Sequence, residues 1–348
     1  MFEKILVPLD GSEQANSILP YVAYLVKGMG SRLHILSVIK PDEIGVAGDP
    51  RTARSEGVGP VAVKSGGSVG VESQAHVRRE ALARFPTRDY DTGGPYVSQA
   101  FDREESRLRH DLSGIVDELA EDGLTARVAV RIGDAAEQIV SYANTHECDL
   151  IAMSTHGRNM VSRALLGSVT DSVIRTSDVP TLTISPEKAK QYWTDDDVSI
   201  SKILVPLDGS ELAESAIPFA AALARKLSME IVLVGAVKVA NLPGPDAVGH
   251  FYATDARLPA TVEAETHGYL SGVVDYLRKA GLAANYVLKV GAPAAIINEF
   301  AHDTPNNMIA LTTHGRSGLR RMALGSVTST VVRNAGDPVL VIPPVRPE

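Results

Sequence analysis

The chain has 348 residues, of which 44% are apolar and 22% charged, and a formal net charge of −8. That length suits two domains better than one core, no apolar run approaches the ~20 residues of a bilayer span, and the acidic balance argues against a general nucleic-acid binder while leaving room for a nucleotide at a locally basic site. Cys148 is the only cysteine, so an internal disulfide is precluded and a thiolate metal site has no partner ligands.

The N-terminus MFEKILVPLDGSE enters a strand directly, with no basic-then-apolar leader pattern, and a cytoplasmic location is expected. Ile5-Leu6-Val7 reads as a short strand buried on both faces. Ser12 is placed to cap a helix from Glu13 to about Lys27, with apolar residues at Ile18, Leu19, Val22, Leu25 and Val26. Gly28-Met29-Gly30 stops it, and Leu33 to Ile39 is the next strand. Pro41 to Ala100 is glycine-rich with little periodicity, apart from a short helical pattern at Ala75–Phe85. It reads as an insertion, either a surface loop or a lid. Order is expected to resume near Phe101 with a helix ending at Gly123. A strand over Ala126–Ile132, a helix after Gly133-Asp134-Ala135 and a strand at Asp149–Met153 follow. Beyond the next loop come a helix from Val169 to Thr176 and a strand at Pro180–Ile184.

The polar segment 186–201, which holds Trp193, reads as a linker between a first domain, 1–185, and a second, 202–348. Lys202 to Glu211 then repeats Lys4 to Glu13 at an offset of 198, whereas Ile309–Arg333 repeats Ile151–Arg175 at an offset of 158. The chain is thus a tandem duplication whose first copy holds about 40 additional residues, which localises the insertion at about 41–100. Each copy reads as strands alternating with helices. That predicts two doubly wound α/β domains, each with a five-stranded, mostly parallel sheet.

In such sheets ligands sit at the carboxyl ends of the strands, where the strand order reverses. Two loops of each copy should meet there: Asp10-Gly11-Ser12 (Asp208-Gly209-Ser210) and the long repeated loop. Gly157 and Gly167 let backbone approach a ligand, and Gly167-Ser168 precedes a helix whose N-terminal N–H groups suit phosphate. Arg158 and Arg163, matched by Arg316 and Arg321, read either as charge for that phosphate or as solvated surface. Asp10 reads either as an acceptor for an adenine amine or ribose, or as a turn residue. His156 and His314 lack further ligands at metal spacing and read as loop residues. No Walker loop, dinucleotide fingerprint or nucleophile elbow is present.

Together these residues resemble the universal stress protein family in tandem form. The family's nucleotide motif is G-x-x-G, nine residues, then G-[ST]. Its second half is matched at Gly157 and Gly167-Ser168, and at Gly315 and Gly325-Ser326. The first glycine is replaced by Ser154 and Thr312, which add a Cβ beside the expected site. The resemblance implies an adenine nucleotide alpha hydrolase-like fold that binds ATP, with or without Mg2+. The implied first site is Pro8, Asp10, Val38, Met153, Ser154, Gly157, Arg158, Gly167, Ser168 and Val169. The second is Pro206, Asp208, Val237, Leu311, Thr312, Gly315, Arg316, Gly325, Ser326 and Val327. It also implies that Thr181–Ile184 and Val339–Ile342 pair, within the chain or between two copies as a homodimer, and that an unidentified protein partner reads the nucleotide state. Three functions stay open: an ATP-binding stress or regulatory module, a ligand-free scaffold, and a slow ATPase. For the last, Asp171 is the one nearby carboxylate, and the second copy has Ser329 there; no catalytic residue is assigned.

Overall fold

The computed structural model describes residues 1–40, 94–156, 166–186, 198–237, 260–313 and 324–344. The first unit contains β1 (Lys4–Pro8), α1 (Glu13–Asn16), α2 (Leu19–Met29), β2 (Arg32–Ile39), α3 (Gly94–Glu121), β3 (Ala126–Ile132), α4 (Ala135–Thr145), β4 (Leu150–Ser154), α5 (Ser168–Thr176) and β5 (Thr181–Ile184). The second contains β6 (Lys202–Leu207), α6 (Glu211–Glu214), α7 (Ile217–Leu227), β7 (Glu230–Val237), α8 (Ala260–Lys279), β8 (Ala284–Val290), α9 (Pro293–Asp303), β9 (Asn307–Thr312), α10 (Ser326–Asn334) and β10 (Val339–Ile342).

The helix expected over Glu13–Lys27 is two helices. Pro20 cannot donate an N–H to Asn16, and its ring would collide with the carbonyl there. The chain therefore breaks at Ser17–Ile18 and restarts with Pro20 near the N-terminus of α2, where proline is tolerated. Pro218 does the same at the start of α7. Helix α2 runs through Gly28 and Met29 and ends at Gly30, whose φ of 69° closes it in the left-handed conformation. A second correction concerns the insertion: α3 starts at Gly94, seven residues before the expected return of order. Its amphipathic pattern does extend that far back. The stretch expected to be helical at Ala75–Phe85 lies outside the described residues. The helix after the long loop starts at Ser168, one residue earlier than expected.

The ten strands form one sheet in the order β3-β2-β1-β4-β5-β10-β9-β6-β7-β8. Every neighbouring pair is parallel except β5–β10, whose antiparallel register sets Thr183 against Val339 and Thr181 against Val341. The last strands thus pair within the chain and merge two five-stranded sheets into one. Pleat alternation divides the core. Ile5, Val7, Ile203 and Val205 join a cluster with α2, α3, α7 and α8 that runs through both units. Leu6 faces α4 and α5 on the other side, and Leu204 faces α9 and α10. In each unit the order reverses at the strand between its neighbours, β1 between β2 and β4, and β6 between β7 and β9. Among the described residues no helix is long and apolar enough to cross a membrane.

Candidate functional site

At the reversal point, the chain leaves β1 through Asp10, Gly11 and Ser12. Asp10 Oδ1 accepts from Ser12 N at 3.0 Å and Ser12 Oγ at 2.6 Å. Ser12 Oγ in turn accepts from Ala15 N at 3.1 Å and caps α1. Gly11 bridges them at a φ of 79°, a conformation open to glycine at no steric cost. The second unit repeats this frame: Asp208 Oδ1 accepts from Ser210 N at 3.0 Å and Oγ at 2.6 Å, Ser210 Oγ accepts from Ala213 N at 3.1 Å, and Gly209 has a φ of 78°. Asp10 is therefore a turn residue, and the turn holds its carboxylate in one orientation.

Opposite lies the neck of the long loop. Thr155 N donates to Ile184 O at 2.8 Å, anchoring the end of β4 to β5, and Gly167 N donates to Thr155 O at 2.8 Å, bringing the returning chain onto it. A Cβ at Gly167 would stand 2.8 Å from that same carbonyl oxygen, so only glycine fits. Thr170 Oγ1 donates to Ser154 O at 2.9 Å from the first turn of α5. In the second unit Thr313 N donates to Ile342 O at 3.0 Å, Gly325 N to Thr313 O at 2.8 Å, and Thr328 Oγ1 to Thr312 O at 2.7 Å. The two necks share one hydrogen-bond plan. Thr155, Thr170, Thr313 and Thr328 were missed as neck residues, although their recurrence in both copies was a signal.

Ser168 does not cap α5. The capping position is Gly167, with no side-chain hydrogen bond, and Ser168 is the exposed first helical residue. Gly325 and exposed Ser326 stand the same way at α10. Each helix thus begins without a side-chain acceptor for its first N–H groups. Val38, Met153 and Val169 come together in one apolar cluster beside this end. Leu311 and Val327 share another, and Val237 is half-buried at the end of β7. Pro8 and Pro206 are half-buried at the strand ends that lead into the two turns. Ser154 is buried and donates Oγ to His156 O at 2.5 Å, and Thr312 is also buried. Gly157, Arg158, Arg163, His314, Gly315, Arg316 and Arg321 lie outside the described residues.

Asp171 is held by Arg175, whose Nε and Nη2 donate at 2.7 and 3.0 Å. The same bonds push the Arg175 guanidinium further up, and a carboxylate bound on both oxygens is poorly placed as a general base. Cys148 lies behind the site, where burial pushes its thiol up to about 11 and leaves it unreactive at neutral pH. Among the described residues no group of three or more His, Cys, Asp or Glu side chains could hold a metal ion.

Comparison with known proteins agrees with this architecture. A family model described as "Universal stress protein family" matches residues 1–185 and again 199–343. A universal stress protein of Mycobacterium tuberculosis is 28% identical over 200 residues, 57% of this chain, and the match spans only 62% of that relative's length. A universal stress protein of Synechocystis is 23% identical over 350 residues, 97% of this chain and 99% of its own. Among solved structures, a universal stress protein from Archaeoglobus fulgidus superposes with a TM-score of 0.60 at 18% identity, covering 99% of this chain and 97% of that one, a likeness of fold.

Proposed function

Because this chain belongs to the universal stress protein family, we propose that it is a regulatory module that binds an adenine nucleotide, ATP with or without Mg2+, once in each unit. The observation that carries the reading is the repetition of one frame. Each unit sets a turn-locked aspartate across from a loop neck closed on a glycine, at the point of strand reversal, with an uncapped helix start between them. In the first site Asp10 receives the adenine amine or ribose, Val38 and Met153 line the base, and the N–H groups from Gly167 to Val169 receive phosphate, with Ser168 as a hydroxyl donor and Arg158 as charge. In the second, Asp208, Val237, Leu311, Gly325, Ser326, Val327 and Arg316 take the same parts. Nucleotide occupancy is the signal, and a protein partner in the cytoplasm reads it.

Hydrolysis has little support, since the one nearby carboxylate, Asp171, is engaged by Arg175. A ligand-free scaffold is the second reading, favoured by Ser154 and Thr312 at the first motif position.

The deciding experiment is denaturation of freshly purified full-length protein, followed by chromatography of what is released, with calorimetric titration of ATP into the stripped protein. Two equivalents of ATP are expected. Gly167→Ala and Gly325→Ala should each remove one equivalent, at a stability cost of about 1–3 kcal/mol for forcing a methyl against backbone. No released nucleotide and no binding heat would establish the scaffold reading.

A further inference from the structure

The seam between the two units is made unequally by its two sides. Gly28, in the last turn of α2, receives the side chain of Leu227 from the end of α7: a Cβ at Gly28 would stand 2.2 Å from Leu227 Cδ2 and 3.7 Å from its Cγ. Beside it Lys226 donates Nζ to Met29 O at 3.4 Å. That places a cation on the C-terminal end of α2, the negative end of its dipole. Phe2 meets Phe219 edge-on across the same seam, with ring centroids 6.2 Å apart at 64°. Tyr24 OH donates to Ile200 O at 2.8 Å.

Antiparallel pairing of β5 with β10 in a mirrored strand order relates the units by an approximate two-fold axis. Every seam contact therefore has a mirror image in which each residue is replaced by its repeat counterpart. The offset of 198 makes Lys226 the counterpart of Gly28, Leu227 that of Met29, and Ala222 that of Tyr24. Two second-unit faces brought together would put Lys226 where Gly28 stands, against Leu227, on both sides of the axis. Two first-unit faces would set Gly28 against Met29 twice, with no Lys226 to reach the opposite helix end. Neither like-with-like seam reproduces the observed fit.

We propose that the α2–α7 crossing is a selectivity element: a Gly28 socket and a Leu227 knob, clasped by Lys226, through which the first unit accepts the second unit as partner and rejects its own kind. The strand pairing alone does not discriminate, because β5–β10 is joined through main-chain groups that any exposed strand presents. Discrimination comes from the collision and lost contact built into the wrong pairings. The partner that fits this face is the second unit of the same chain, so the edge strands at the middle of the sheet are closed to further copies.

The test is a mutant cycle in the full-length protein, read as the midpoint of thermal unfolding. Gly28→Lys, which gives both sides the second unit's residue, should lower the midpoint by several degrees. Leu227→Gly should lower it too, through lost burial. The double variant should recover most of the loss caused by Gly28→Lys, because the knob is gone. A Gly28→Lys variant more stable than the parent, as helix propensity alone would give, overturns the proposal, and so do two losses that simply add. A second arm reads selectivity directly. A protease site in the linker is cut after folding, the cut protein is mixed with an isotope-labelled copy, and native mass spectrometry follows. Complexes of one first and one second unit are expected, and like-with-like pairs in statistical proportion contradict the proposal. The cycle decides on its own where the cut units do not exchange.

Discussion

At the scale of single residues, the two aspartates show how a structural and a functional role can share one side chain. Asp10 builds the turn after β1 through Oδ1, and an asparagine can keep those bonds through its own carbonyl oxygen. Its amide would then present donors, where an adenine amine needs an acceptor. Asp10→Asn should therefore leave the thermal midpoint nearly unchanged while weakening ATP at the first site by about tenfold, the worth of roughly one hydrogen bond. Calorimetric titration of that site measures it, and an unchanged affinity would reduce Asp10 to a turn residue. His34 is the residue whose environment the second unit does not copy, since Val232 stands at the paired position. Burial pushes its pKa down from 6.5 to about 4, helped by His146, Arg127, Lys4 and Arg32. Tyr142 OH lies 3.1 Å from Nδ1, and the Tyr142 ring stacks on His146 at 3.9 Å. Because the unfolded chain takes up this proton near pH 6.5 and the folded chain only near 4, the unfolded state binds more protons between those values, and stability falls as the pH drops through that window. Denaturant titrations from pH 7.5 to 4.5 should show this slope, and His34→Val should flatten it.

At the scale of elements, local signals were read well where a local cause governs. Ser12 and Asp134 cap α1 and α4 as their positions implied, accepting from Ala15 N and Glu137 N. Ser12→Ala should cost about 1 kcal/mol through the lost cap, and more than an exposed serine-to-alanine change elsewhere, because the Asp10 turn loses its hydroxyl donor as well. Equilibrium unfolding of Ser12→Ala beside Ser113→Ala makes the comparison. The miss in this stretch also has a local cause. Periodicity runs unbroken across Ser17–Ile18, and the missing N–H of Pro20 is what divides it. The loop helices were found one residue late because Ser168 looks like a cap, whereas the contact between Gly167 and Thr155 sets the true start.

At the scale of the whole molecule, the apolar cluster beneath α2 and α7 includes Ile5 and Val7 from one unit and Ile203 and Val205 from the other. Such a core gives neither unit a complete interior of its own. Denaturant unfolding should therefore proceed in one transition, with circular dichroism and hydrogen exchange in β2 and β7 sharing a midpoint. Two separated midpoints would show that the seam contributes little. The sequence by itself determined the duplication, the alternation of strands and helices, the caps, and the pairing of a turn with a long glycine-bearing loop. All of these follow from spacing and side-chain chemistry within a few tens of residues. Only the tertiary structure decided that two sheets become one through β5 and β10, that Gly167 must be glycine because Thr155 O lies against it, and that Gly28 is a socket for Leu227. Those facts depend on groups far apart in the chain, whose meeting leaves no periodicity to read, since close packing is decided by shape at the contact.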